Sequence, residues 1–436
     1  MNTRSVHTRN TDGSSRLDVM NFLNEVAQNY PSAISFASGR PAEQFFDIEA
    51  WIGRIPLFVE HFARQHGLPN ETARNLIGQY GRTNGIMCDL IARQLALDEG
   101  VSCHPRQIVV TTGCQEAMSL CITHLCRHPD DIILTRSPAY IGITGIADMN
   151  GIGIVPFASD DSKPLADALE EAIRNARSEN KRPRAVYLVP DFDNPTGSVL
   201  SHLERQQIIE VCARHGVVIL EDNPYGMFRY DGDVVPTMFA LDTKGCVVYL
   251  GTYSKSICPG LRVGFAVVPE GEMSGGQSGA EMLDALSQAK SFATVNTSQI
   301  GQAIAGAILL SEAGSLRKLI TPVIHHYRTN RDAMLHSLED TFSGYEDDVT
   351  WNRPDGGFFL TVRLPFEFGR DEAEFCANEH GVLTMPLSFF ALGDDGRDRV
   401  RLAFSNSDPE RIREGIARFG AFVKMRSGRQ HQQRSR

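Results

Sequence analysis

From about residue 75 onward the chain alternates short apolar runs with amphipathic stretches. The runs Ile108–Thr111, Asp131–Thr135, Ile152–Pro156, Ala185–Val189, Val217–Leu220, Val247–Leu250 and Val263–Val268 read as strands. Several are continuous and rich in Val and Ile, as expected of strands buried on both faces. Between them, Gln115–Arg127, Pro164–Ala176 and His202–His215 place apolar residues at helical spacing. Strand and helix in alternation predict an α/β fold whose sheet is mostly parallel, with helices on both sides. Pro269–Ala280 is a glycine-rich loop, followed by helical patterns at Ala285–Ser291 and Gln299–Leu310. A long helix over about Leu316–Glu339 then leads into a smaller α+β domain. That domain holds Gly357–Leu364, Phe375–Asn378, Val400–Phe404 and a last helix from Pro409 to about Lys424. The expected division is a large domain over 75–315 and a smaller one drawn from both chain ends, 17–74 and 316–425. The polar leader 1–16 and the basic tail 426–436 are expected to be disordered.

Composition narrows the function. The chain has 436 residues, is 42% hydrophobic and 22% charged, and carries a formal net charge of -10. That is an ordinary folded chain with an acidic balance, which argues against a phosphate-backbone binder. No run of eighteen uncharged apolar residues is present, so no membrane span is expected. Nine cysteines are scattered with no Cys-x-x-Cys pair. This favours reduced thiols in a cytoplasmic protein over disulfides or a metal site.

Five turns carry chemistry. Gly251–Phe265 reads G-T-Y-S-K-S-I-C-P-G-L-R-V-G-F, directly after a strand. A lysine that forms an imine must be able to lose its proton, and burial and a nearby cation both favour that. Arg262 supplies such a cation beside Lys255, and its planar fork suits a phosphate. Thr252 and Ser254 add hydroxyl donors. A single lysine at a strand end would ordinarily just face water; the whole string sets Lys255 apart. Asp193–Gly197, D-N-P-T-G, is by itself an ordinary turn, but it follows a strand and aims Asn194 at the edge where open α/β sheets place ligands. In Val217–Gly226, V-V-I-L-E-D-N-P-Y-G, a carboxylate directly after a buried strand is costly unless paired. A protonated pyridine nitrogen would pair Asp222, and Tyr225, three positions on, would reach the ring oxygen of a ligand at which Asn194 aims its amide. In Val109–Met118, V-V-T-T-G-C-Q-E-A-M, the turn at Gly113 offers the N–H groups of Cys114 and Gln115 to an anion at a helix start. Ser137–Tyr140, S-P-A-Y, offers Tyr140 to stack on a planar ring, although core packing is the plainer account of one tyrosine.

Together these motifs resemble the class I and II aminotransferases, fold type I pyridoxal-phosphate enzymes, over roughly residues 30–425. Within that family, G-R-P and Y-G-R-T-N-G resemble the branch of dihydroxyphenylglycine and hydroxyphenylglycine transaminases. The resemblance implies pyridoxal 5'-phosphate as cofactor and Lys255 as the Schiff-base lysine. It places Asp222 at the pyridine nitrogen, Asn194 and Tyr225 at the ring hydroxyl, and Tyr140 on the ring face. It puts Gly113, Cys114, Gln115, Thr252, Ser254 and Arg262 at the phosphate, joined by Tyr80 from the neighbouring subunit of a homodimer. The substrate's α-carboxylate falls to Arg401 in R-V-R-L-A-F-S, with Arg399 on the same strand face as its competitor. Gly39 and Arg40 in S-F-A-S-G-R-P are further substrate-side candidates; Arg40 meets an acidic or polar group, or forms a surface ion pair. Phe45, Phe46, Phe389 and Phe390 are candidates for an apolar pocket, or for the core.

The implied activity is transamination between an α-amino acid, aromatic or arylglycine in type, and a 2-oxo acid. The same cofactor residues would also serve elimination or replacement, decarboxylation, or amino-acid oxidation. A regulator built on this fold would add a DNA-binding domain, and no basic helix-turn-helix pattern is visible.

Overall fold

The seven apolar runs form one sheet: β1 (Ile108–Thr111), β2 (Asp131–Arg136), β3 (Gly153–Ala158), β4 (Arg182–Leu188), β5 (Val218–Asp222), β6 (Val247–Thr252) and β7 (Gly264–Val267). The structure is a computed structural model that describes residues 29–158, 163–345 and 347–434, with side chains as far as 428. The leader expected at 1–16, and residues 17–28 of the N-terminal segment, lie outside the described residues. The strand order is β1-β7-β6-β5-β4-β2-β3. All neighbours pair in parallel except β7, which is antiparallel to both β1 and β6. The reversal has a consequence for the site. Six strands end at one edge of the sheet, and β7 begins there, so Arg262, two residues before β7, reaches the edge where the other strands finish.

The strands form where β-branched residues run unbroken and both faces are covered. Val218, Ile219 and Leu220 of β5 are buried, and burying such side chains stabilises by about 1.5–3 kcal/mol each. The two carboxylates that end β5 point to opposite faces, because side chains alternate along a strand. Glu221 accepts N–H bonds from Met238 and Phe239 at 2.7 Å each, and burial pushes its carboxyl up to about 8. Asp222 faces the other way, towards the sheet edge that carries the site.

The connecting helices are closed by local signals. His202–His215 starts at Ser201, whose side chain and that of Glu204 cap each other's backbone N–H, and it stops at Gly216 in the left-handed region. The helix expected over Ala285–Ser291 is longer, Gly279–Ala293, because Ser278 and Glu281 form the same kind of cap within the glycine-rich segment.

A second, antiparallel sheet runs in the order Met385–Pro386, Arg399–Ala403, Phe359–Arg363, Thr350–Trp351. The helices Arg317–Thr341 and Pro409–Arg434 pack against each other beside it. Ile34–Ser35 pairs in parallel with Val382–Leu383, which ties the N-terminal part to this region. Phe375–Asn378, to which the sequence reading assigns no element, lies inside a helix, Arg370–His380, whose buried stripe is Ala373, Cys376 and Ala377. The last helix continues past Lys424 to Arg434, into the segment expected as a disordered tail, since 426–434 contains no Pro to stop it. Among the described residues, no helix is long and apolar enough to cross a membrane.

Candidate active site

A cavity of about 460 Å³ opens where the sheet edge meets the smaller sheet, and residues from both line it. Along the main-sheet side it is lined by Cys114, Gln115, Tyr140, Asn194, Asp222, Tyr225, Thr252, Ser254, Lys255 and Arg262. Gly39, Arg40 and Arg401 line the opposite side. Thus segments as far apart in sequence as 39 and 401 share one pocket.

Gly113 has φ 75° and starts the helix Cys114–Leu125 with no side-chain cap. A Cβ at this position would lie 2.2 Å from Arg262 Nη2, so only glycine admits the guanidinium. At Gly264 a Cβ would lie 2.6 Å from the Cys114 nitrogen, so β7 needs glycine to pass this close to the helix start. Arg262 also donates from Nη2 to the Thr112 carbonyl at 3.4 Å. Thr252 donates to the Ser254 hydroxyl at 3.0 Å and accepts the Ser254 N–H at 3.1 Å. An uncapped helix start, an arginine and two hydroxyls at one end of the cavity make an anion cradle.

Lys255 donates from Nζ to the Gly39 carbonyl at 3.1 Å. Burial lowers its amine to about 8, helped by the positive charges of Arg401, Arg262 and Arg40 and opposed by Asp222. Asp222 is 3% exposed. Its Oδ2 accepts from the Tyr187 hydroxyl at 2.6 Å and its Oδ1 from the Cys114 thiol at 3.2 Å. Burial raises its carboxyl to about 6, and these two hydrogen bonds and Lys255 limit the rise. Tyr225 stands edge-on to Phe358 and Phe359 with centroids 5.1 and 5.8 Å away, and burial pushes its hydroxyl well up. Tyr140 accepts from Gln115 Nε2 at 3.4 Å, and its loop is docked by an Ala139 N–H bond to the Phe390 carbonyl at 2.8 Å.

Arg401 is buried, 3% exposed, and donates from Nη1 to Asn194 Oδ1 at 2.6 Å and from Nη2 to the Ala37 carbonyl. Phe359 and Phe390 lie against its guanidinium with centroids at 4.4 and 4.7 Å. Among the described residues its Nε has no hydrogen-bond partner. A buried cation held by neutral acceptors, with one donor unused, is a place made for an anion. Arg399 sits two residues earlier at the strand's start, half exposed, 3.9 Å from Asp398. The cavity therefore takes Arg401 and leaves Arg399 at the rim. Tyr80 is 83% exposed and lies outside the cavity of its own chain.

Comparison with known proteins follows the same lines. The family model "Aminotransferase class I and II" matches residues 66–419. The chain belongs to the class I and II aminotransferase family. A (S)-3,5-dihydroxyphenylglycine transaminase from Amycolatopsis orientalis is 38% identical over 98% of this chain and 95% of its own. Aromatic-amino-acid aminotransferase 1 from Thermococcus litoralis is 32% identical over 90% of this chain and 88% of its own. Among solved structures, the multiple substrate aminotransferase of Thermococcus profundus superposes with a TM-score of 0.79 at 28% identity, covering 94% of this chain and 95% of that one. The kynurenine aminotransferase of Pyrococcus horikoshii, solved with PMP, gives 0.79 at 26% identity, covering 98% and 97%. The fold is fold type I, and the chain is a pyridoxal-phosphate-dependent aminotransferase.

The residues of this aminotransferase fit that cofactor on their own terms. The cradle at Gly113 and Arg262 suits a phosphate. Asp222 is a buried carboxylate still ready to take a cationic N–H, and Lys255 is an amine half-deprotonated near pH 8. Two participants escaped the sequence. Tyr187 looks like packing within A-V-Y-L-V, yet its hydroxyl is spent on Asp222. Phe359 looks like a strand residue and covers Arg401. Of the four phenylalanines expected as pocket or core, Phe390 lines the cavity. Phe389 is buried beside Arg370 at 5.6 Å, Phe45 packs on His326, and Phe46 packs on Trp51.

Proposed function

We propose that this aminotransferase moves an amino group between an aromatic or arylglycine-type α-amino acid and a 2-oxo acid, with Lys255 as its catalytic base and Arg401 as its carboxylate anchor. The observation that carries the reading is that Lys255 and Arg401, whose Nε is unused, line one cavity, with Phe359 and Phe390 beside the anchor. The name of the 38% identical relative supports the arylglycine class.

In this reading the α-carboxylate takes the fork of Arg401, whose Nε and Nη groups match it in pairs. That orients the α-carbon towards Lys255. Lys255 Nζ, lowered to about 8 by burial and then by three surrounding cations, is placed to take the α-proton as base and to give it back as acid. Pyridoxal phosphate, when bound, supplies the electron sink that makes the α-proton acidic. Asp222, as an anion, holds the pyridine nitrogen protonated; Asn194 and Tyr225 hold the ring hydroxyl, and Tyr140 covers the ring face. Gly113, Cys114, Gln115, Thr252, Ser254 and Arg262 hold the phosphate. Gly39 and Arg40 border the substrate side, where Arg40 selects a polar or acidic group.

Tyr80 belongs to the phosphate site of a second copy, which makes the active unit a homodimer. Its side chain, 83% exposed and outside the cavity of its own chain, is free to reach a second copy, which supports that. The nine free cysteines suit a reducing compartment, the cytoplasm. The division into a cofactor-binding domain over 75–315 and a smaller domain from 17–74 and 316–425 is part of the same reading and rests on the two separate sheets.

The test is a half-reaction. Single amino acids are added to the cofactor-loaded protein without any oxo acid. Arylglycines or aromatic amino acids are expected to yield the matching 2-oxo acid and leave the cofactor as its pyridoxamine form, and Lys255→Ala is expected to abolish this. Release of ammonia, carbon dioxide or peroxide with the cofactor unchanged would assign the protein to another reaction class.

A further inference from the structure

We propose that Tyr187 and Cys114 are positioning residues for Asp222, each holding one oxygen of its carboxylate so that the group stays fixed and anionic at the cavity wall. This rests on the reading that Asp222 partners the cofactor's pyridine nitrogen.

The geometry comes from three separate segments. Asp222 ends β5. Tyr187 comes from the neighbouring strand β4 and donates its hydroxyl proton to Oδ2 at 2.6 Å. Cys114 opens the helix Cys114–Leu125 and donates its thiol proton to Oδ1 at 3.2 Å. With a donor on each oxygen, the carboxyl plane cannot turn without breaking a bond. A carboxylate accepts at about four lone-pair sites, so two donors leave acceptor capacity for a ligand. Tyr187 is 2% exposed, in the buried run Ala185–Leu188 whose other side chains are apolar, so a phenylalanine would serve the core as well. A hydroxyl buried there and given to one carboxylate has a polar task.

The charge around Asp222 shows why donors are needed. Asp193, in the turn after β4, raises its carboxyl further, and Lys255, after β6, lowers it. The hydroxyls of Tyr140 and Tyr225 also face it electrostatically. Burial dominates and favours the protonated acid. Tyr187 and Cys114 are the two groups whose hydrogen bonds favour the anion directly.

The experiment compares Asp222→Asn, Tyr187→Phe, Cys114→Ala and Cys114→Ser in the holoenzyme. It reads the pH profiles of kcat and of KM, together with the binding of pyridoxal phosphate to the apoprotein, followed by absorbance. Tyr187→Phe is expected to move the acid limb up by about one pH unit. It should also lower kcat near neutrality roughly tenfold, with KM little changed and cofactor binding weaker. Cys114→Ala should shift the limb the same way by less, and Cys114→Ser, which keeps a donor, should shift it least of the three. If Tyr187→Phe does not fold, the Cys114 pair decides alone. Wild-type profiles and cofactor binding in both Tyr187→Phe and Cys114→Ala, while Asp222→Asn loses both, would overturn the positioning role. Should Asp222→Asn keep both, the role assigned to Asp222 itself fails instead.

Discussion

Two arginines mark opposite sides of the cavity, and they are held on different terms. Arg262 is exposed, belongs to the same short run as Lys255, and reaches over a glycine to the Thr112 carbonyl. Arg401 is buried between Phe359 and Phe390, bonded to an amide oxygen and a backbone carbonyl, with Nε unused. Water screens and solvates the first cation whether or not an anion is bound. The second has given up its water and gained no carboxylate, and burial lowers it to about 10. A cation held that way is worth most when an anion completes it, so the account predicts unequal costs of removal.

The largest effect falls on Arg401→Gln. Steady-state kinetics should show kcat/KM down roughly a thousandfold, about 4 kcal/mol, with Arg401→Lys recovering only part because it lacks the fork. Arg262→Gln should weaken pyridoxal phosphate binding about tenfold, measured by titration, since this contact is shared with backbone N–H groups and partly solvated. Arg40→Gln should raise KM several-fold for substrates with a polar or acidic side group, with little change for plain aromatic ones. Arg399→Gln should change kcat/KM less than about twofold, as expected of a rim ion pair. Equal losses for Arg399 and Arg401 would erase the contrast.

A pH series sharpens the same contrast from the other wall. Asp222 titrates at about 6 in the free protein, raised by burial from its ordinary range. Its anionic form is therefore present above that value and lost as pH falls through it, so binding of pyridoxal phosphate to the apoprotein should weaken on the acid side of about 6. Substitution of Arg401 should leave this limb near its wild-type position, because the leading influences on Asp222 are burial, Tyr187, Cys114, Asp193 and Lys255.

The main-sheet wall was legible because each part lies in a contiguous turn at a strand end, where a few residues announce both conformation and chemistry. Gly113 followed by a helix start, or Lys255 and Arg262 in one run, can be read without knowing what they face. The opposite wall is assembled from the run 37–40 and from single residues at 359, 390 and 401, and no local pattern joins them. Period-two alternation put Arg399 and Arg401 on one face, and that held: they sit opposite Arg363 and Thr361. Which of them is buried depends on where the strand enters the fold, and Arg399 enters at the rim beside Asp398. Tyr187 was hidden for another reason. A tyrosine in an apolar strand packs like any core residue, and only the neighbouring strand reveals what its hydroxyl meets. The four phenylalanines scattered between pocket and core because aromatic content alone carries no direction.

The central claim is that the cofactor is held covalently through Lys255 at this sheet edge. It is tested most directly by reducing the cofactor-loaded protein with borohydride and mapping the modified peptide by mass spectrometry. The account predicts one phosphopyridoxyl group per chain, on Lys255 within Gly251–Phe265. A modification on another lysine, or none in a protein that still binds pyridoxal phosphate stoichiometrically, would contradict it.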